Sequence, residues 1–293
     1  MWRGKQASAI GVGLLLARVA QAEEGGARAL SVGQTGYANP GDVATLPLGL
    51  AATSLQSRYE VYSGVGFGAD HRFLLRVGAV DSRTSALTLG AMYSRLTDNV
   101  PPTGAALPGW KPAGVTLEDP TEHDAVHLAL AYPMLDRRLS VGWGGRYDWR
   151  ISDLSGTDSA FNFGFSAAGQ PVQSVTLAGG IYNLLENGYS DTERSFALGV
   201  RWDPGPYLGV EGAATAPLTE EGGWDAVEWH IGASVGIAEA WHLNGGFFND
   251  GALSYATGGL AIVTPKADLD YGMKIAIQEP ARNIHEIDVR IRF

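Results

Sequence analysis

From about residue 55 onward the chain repeats one short period. Apolar and polar side chains alternate at every second position, in segments of ten to thirteen residues separated by turn residues. Successive side chains of an extended strand point to opposite faces, so this period sorts each segment into one oily and one wet face; a helix would mix them. The segments run over residues 55–67, 71–81, 84–95, 123–132, 138–149, 158–168, 173–183, 193–203, 206–216, 225–235, 239–248, 251–263, 266–277 and 283–293. Phe73, Leu75, Val77 and Ala79 alternate with Arg72 and Arg76; Leu139, Val141, Trp143 and Tyr147 alternate with Arg138, Ser140, Arg146 and Asp148. In the same way Leu269, Tyr271, Met273 and Ile275 oppose Asp268, Asp270 and Lys274.

Alternation alone fits either a soluble sandwich, with the oily face inward, or a membrane barrel, with the oily face toward lipid. Three features favour the barrel. The segments exceed the five or six residues of an average soluble strand. Tyr and Trp gather near segment ends, as at membrane interfaces. Fourteen is an even number, as bacterial single-chain barrels require. The connections also alternate in length: the links after even-numbered segments, such as Ser82-Arg83, Pro204-Gly205 and Thr264-Pro265, are tight, while most of the others lengthen. The expected fold is all-β, a transmembrane antiparallel barrel of about fourteen strands.

Both ends of the chain point to export. Arg3 and Lys5, the apolar run Ala7 to Ala17 and the small-residue site Ala20-Gln21-Ala22 predict a cleaved signal peptide over residues 1–22. Cleavage there would remove three cations, Arg3, Lys5 and Arg18, and no acid, taking the formal charge from -10 to -13. An acidic surface disfavours nucleic-acid partners. With no cysteine in the chain, neither disulfides nor thiolate chemistry is available. At the other end Ile287, Val289, Ile291 and Phe293 form one oily row, and the closing Phe293 resembles the assembly signal read by the barrel-assembly machinery of bacterial outer membranes. Forty glycines lie largely inside the alternating segments, as in Gly142-Trp143-Gly144-Gly145, where they relieve crowding in a curved sheet; no Lys-Ser/Thr follows to make a phosphate loop.

Residues 23–54 precede the first segment without clean alternation and contain Asn39-Pro40-Gly41. Here the chain resembles the FadL-type outer-membrane transporters and the related PorV-like barrels. In those proteins an N-terminal segment with an Asn-Pro-Ala/Gly motif folds into a fourteen-stranded barrel as a hatch. The resemblance implies a hatch over 23–54, with Asn39, Pro40 and Gly41 as its candidate motif, and a barrel over 55–293. The segment Val77 to Gly90 also looks like an early hairpin of this broad group.

Strand parity places a set of charges inside: Arg58, Arg72, Arg76, Arg138, Arg146 and Arg201 in early and middle segments, then Glu211, Glu228, Asp268, Asp270, Glu286 and Asp288 in late ones, with Lys274 and Arg290. They are expected to line the lumen, facing one another across it or holding the hatch by charge-assisted pairs. Such a polar lining disfavours a purely hydrophobic cargo unless the hatch supplies apolar surface. His123 and His127, four apart on a strand, stand about 13 Å from each other, too far for one metal ion. His230 and His242 on adjacent segments are further lumen candidates and could meet there near Asn244. Ser166 and Ser234 lack an evident base and His285 falls on the lipid face, so no enzyme is expected, and no cofactor or metal. The expected role is passive transport of small or amphipathic solutes across a bacterial outer membrane. The alternative is a platform that anchors or shuttles a surface-protein partner through the loop between Leu96 and Glu122, which holds Trp110.

Overall fold

The structure is a computed structural model that describes residues 25–68, 72–97, 121–152, 156–185, 194–218, 226–250, 253–278 and 283–293. The predicted signal peptide lies outside them, as do residues 98–120 of the long loop, including Trp110.

Fourteen strands form one closed antiparallel barrel: β1 (Tyr59–Gly68), β2 (Phe73–Asp81), β3 (Thr88–Thr97), β4 (Thr121–Met134), β5 (Leu139–Ser152), β6 (Gly156–Val172), β7 (Val175–Tyr182), β8 (Ser195–Gly205), β9 (Leu208–Pro217), β10 (Glu228–Gly236), β11 (Trp241–Asn249), β12 (Ser254–Val263), β13 (Ala267–Ala276) and β14 (Ile284–Arg292). Each strand pairs with its sequence neighbours, and β14 closes on β1 in the register Glu60 to Arg292 and Gly68 to Ile284. Closure is what a lipid environment demands, because each unpaired backbone group at an open edge would cost several kcal/mol in hydrocarbon. All fourteen predicted segments correspond to strands. Residues 55–58 and 84–87 do not extend the sheet: Leu55 ends a buried 3-10 turn, and Asp81 Oδ1 accepts from the backbone N–H of Arg83 and Thr84 in a local turn.

The oily rows face outward around the ring. Trp143 is 38% exposed, Phe196 37% and Ile231 59%, as a membrane-facing belt requires and a soluble core forbids. At the end carrying the tight turns, Tyr59, Tyr132, Trp202, Tyr207, Trp241 and Phe293 stand exposed as an aromatic girdle. The Phe293 ring packs 5.6 Å from Tyr59 across the β14–β1 seam, and its N–H donates to the Tyr59 carbonyl.

The charged rows face inward onto residues 25–55. This segment holds a short helix α1 (Gly26–Ser31) and 3-10 turns at Gly36–Ala38, Val43–Thr45 and Ala52–Ser54, nearly all buried. Helix α1 lies against β11 to β14, the first turn against β7 to β9, the second against β1 and β2, and the third against β4 to β6. Leu46 reaches Gly90 of β3, and Val32 reaches Gly232 of β10. The segment therefore touches every strand of the wall from within, which gives the fold its hatch.

Candidate functional site: the hatch and the cavity above it

The hatch is seated by two devices. The first is a row of inward glycines on four consecutive strands, Gly232, Gly246, Gly259 and Gly272. A Cβ at these positions would lie 2.1 Å from the Val32 carbonyl oxygen, 2.6 Å from Gly33 N, 2.5 Å from Ser31 Cβ and 2.2 Å from the Ala27 carbonyl oxygen. Real side chains do not approach that closely, so the wall is bare where α1 rests on it. Asn244 Nδ2 donates to Ser31 Oγ at 3.0 Å and Thr257 Oγ1 to the Ser31 carbonyl at 3.1 Å, fixing the same turn from β11 and β12.

The second device is ionic. Asp42 accepts from Arg290 Nη1 at 2.8 Å, from Asn39 Nδ2 at 3.1 Å and from its own turn at Ala44 N, 3.0 Å. Arg290, 1% exposed, also bonds Asp270, and Asp268 lies 3.5 Å from it. Across the bore Arg201 donates to Asn39 Oδ1 at 3.0 Å and Glu211 at 2.6 Å, while forking onto Asp203 at 2.8 and 2.9 Å. Glu211 in turn accepts from Thr35. Arg58 donates to the Pro40 carbonyl at 3.2 Å and to Glu60 at 3.0 Å, and Glu60 accepts from Val43 N and from Arg292. Gly41 sits at φ 71°, where a side chain would strike the Arg58 guanidinium. Asn39-Pro40-Gly41 is thus a knot tying β8, the residues leading into β1, and β14 to one turn. Burial pushes the Asp42 carboxyl up, but Arg290, Arg28 and Arg58 outweigh it and hold the group below the usual carboxylate range.

The remaining predicted lumen residues spread around the wall. Arg76 bonds Glu286, two strands away rather than across the bore, and Asp288 accepts from Tyr62 at 3.1 Å and from Ala27 N. Arg72 stands one residue before β2, at its outer end, half-buried. Arg146 donates to Asp148 at 2.8 Å, and His123 lies 2.8 Å from the same oxygen. Buried Lys274 stands over the Tyr255 and Phe248 rings at 5.0 and 5.7 Å. Arg138 departs from expectation: β5 begins one residue later, so Arg138 is an exposed turn residue. Its neighbour Arg137 turns inward to the Ser54 carbonyl at 2.7 Å and to the Ser82 carbonyl, bracing the tight-turn end of the hatch. His230 and His242 do not meet either. The antiparallel register sets His230 opposite Phe248 and His242 opposite Gly236, which separates them by about 20 Å along the strands. Ser166 Oγ accepts from Ala51 N at 2.9 Å and so belongs to the hatch seat. Among the described residues no three His, Cys, Asp or Glu side chains gather as metal ligands.

Sequence reasoning missed Asp42, Glu60, Tyr62, Thr35 and Arg292 as members of this network. Glu60 and Tyr62 share the inward parity of Arg58, and Arg292 that of Arg290, so that signal was present; Asp42 and Thr35 lie in the segment without periodicity.

The hatch occupies the half of the lumen nearest the tight turns. Toward the longer connections it leaves a cavity open to solvent. Its floor is made by hatch residues Tyr37, Pro47, Leu48 and Leu50, and its walls by His127, Asn162, Phe163, Tyr182, Glu228 and Phe248, with His230. Tyr182 donates to the Leu48 carbonyl at 2.6 Å and meets Tyr37 edge to face at 6.0 Å, joining floor to wall. On one side the cavity adjoins the junction of β6 and β7, where β7 stops at Tyr182 while the wall continues through Leu184 N to the Phe163 carbonyl at 3.0 Å.

No protein-family model and no curated protein matches this sequence. Solved structures do match the fold. A crystal structure of a Pseudomonas aeruginosa FadL homologue superposes with a TM-score of 0.63 at 10% identity, covering 91% of this chain and 98% of that one. The Pseudomonas putida toluene transporter TodX superposes with a TM-score of 0.61 at 10% identity, covering 92% and 97%. At such identity the likeness is one of fold: this chain has the FadL-type barrel architecture over most of its length.

Proposed function

We propose, starting from a FadL-type barrel with a seated hatch, that the chain is a passive channel of a bacterial outer membrane for small apolar or amphipathic solutes, and not an enzyme. The observation that carries this reading is the cavity on the hatch. Strand parity alone would leave the lumen polar, yet Arg290, Arg201 and Arg58 are engaged in holding the hatch, and the hatch supplies Tyr37, Pro47, Leu48 and Leu50 as apolar floor. A concave site that joins this apolar floor to polar walls such as His127, Asn162 and Glu228 suits compact amphipathic solutes. Passage then requires the Asn39-Pro40-Gly41 turn to shift, because that turn joins opposite walls. On this reading residues 1–22 are a leader and 23–54 the gate.

The test is flux through vesicles carrying the purified protein. Uptake of small apolar solutes above that of empty vesicles is expected, rising when residues 23–45 are deleted. A barrel that shows neither solute uptake nor conductance, even after that deletion, would defeat the proposal.

A further inference from the structure

The two walls of the cavity differ in charge. On β4 and β5 it is lined by His127 and Arg146, which face each other in the antiparallel register. His127 is 7% exposed and has no hydrogen bond among the described residues; its ring nitrogens are not among the buried polar atoms sealed from solvent, so they open on the cavity that the residue lines. Arg146 keeps 12% of its side chain exposed while its Nε donates to Asp148 at 2.8 Å. Asp148 also meets His123, and Arg150 shares the inward parity of Arg146, so this wall carries two guanidinium groups against one carboxylate.

The wall made by β10 and β11 is acidic. Glu228, 24% exposed, and Asp250, whose Oδ1 accepts from Leu253 N at 2.7 Å, line the cavity there. Lys274 is the cation behind them, but it is 1% exposed over the Phe248 and Tyr255 rings and does not reach the lining. In the ring of fourteen strands β4 and β11 stand seven apart, which sets the basic and acidic walls on opposite sides. Between them lies the hatch floor, where Leu50 packs on Gly144 and Tyr37 on Tyr182.

We propose that the cavity seats an elongated dipolar solute: an apolar or aromatic body with a carboxylate at one end and a protonated amine at the other. The carboxylate accepts from the N–H that a neutral His127 offers and lies beside the Arg146 guanidinium; the ammonium donates to Glu228 or Asp250. Fourteen strands tilted by about 40° and spaced about 4.8 Å close a ring about 28 Å across, and once facing side chains and a hydrogen bond at each end are subtracted, a body on the order of 10 Å remains. Charges on a single carbon cannot reach both walls. The inference rests on the channel reading and narrows its substrate class.

Calorimetry on the detergent-purified full chain tests it with four probes of one shape: a para-substituted biphenyl bearing an aminomethyl group at one end and a carboxylate at the other, the same body with only the carboxylate, the same with only the aminomethyl group, and plain biphenyl. The dipolar probe is expected to bind about tenfold tighter than either singly charged one, since each seated end forms a charge-assisted hydrogen bond. His127→Phe keeps a ring in place but removes the N–H; it should weaken the two carboxylate-bearing probes several-fold and leave the aminomethyl probe and biphenyl unchanged. Glu228→Gln should do the reverse, weakening only the two aminomethyl-bearing probes. If His127→Phe fails to form a barrel, the rank order of the native chain and the Glu228→Gln pattern decide. Dipolar and plain biphenyl binding equally to the native chain, or either variant weakening all four probes alike, overturns the two-ended seat and leaves the channel standing. If no probe binds and none enters vesicles, the channel reading fails and this inference with it.

Discussion

Replacing Asp42 by alanine should loosen the hatch without unmaking the barrel. The native carboxylate is buried and accepts three hydrogen bonds, from Arg290, Asn39 and Ala44 N. Removing one partner of a buried ion pair costs about 3–5 kcal/mol, mostly because the other charge is left uncompensated. Arg290 keeps Asp270 and has Asp268 at 3.5 Å, so the lower figure, about 3 kcal/mol, is appropriate. At about 1.36 kcal/mol per decade, that raises the population with a displaced hatch by roughly 150-fold. Asp42→Asn retains an acceptor oxygen and should cost about 1–2 kcal/mol, giving an intermediate effect. Open probability in planar bilayers reads the change directly, and the shift in gel migration on boiling shows whether the barrel is intact. If Asp42→Ala leaves open probability unchanged in an intact barrel, the ionic knot does not hold the hatch.

Acid should loosen the same contact. The Asp42 carboxyl is held below its ordinary value in the folded chain, so its contribution is complete above about pH 4 and is lost as pH falls through the lowered native value. Conductance should therefore be flat through neutral pH and rise only in strong acid, a rise that Asp42→Asn removes. Gly232→Val must displace Val32, whose carbonyl would stand 2.1 Å from the new Cβ, and should expose the hatch to added protease. Gly205→Ala, with nothing within 4 Å, should not. Equal protease resistance in both variants would count against close seating of α1 on the wall. Val200→Arg introduces a charge on the outward face in mid-strand and should lower barrel stability by about 2–4 kcal/mol in refolding from urea into vesicles; a neutral result would mean that this face does not meet lipid.

The barrel was legible because a strand has only two faces. Phe73, Leu75 and Val77 on one and Arg76 on the other can be sorted from the sequence alone, and long strands with aromatic ends imply the membrane. The candidate site was legible only in part. Parity identified Arg201, Glu211, Asp270 and Arg290 as inward but could not say what they hold, since their partners Asn39, Thr35 and Asp42 lie in a segment with no period. Arg138 was misplaced because the exact start of a strand depends on the turn before it, and the His230–His242 meeting failed because adjacency of strands does not give register.

What the amino-acid order determined by itself is local: strand direction, the two faces, the breaks between segments, and the small residues left in the wall. Which charges meet, where the helix finds bare glycine backbone, and that the hatch turns a polar bore into a cavity with an apolar floor were decided by closure of the ring. Closure brings β14 beside β1 and places residues 25–55 against all fourteen strands at once, and contacts between positions hundreds of residues apart, such as Asp42 with Arg290, have no signature in the spacing of the chain.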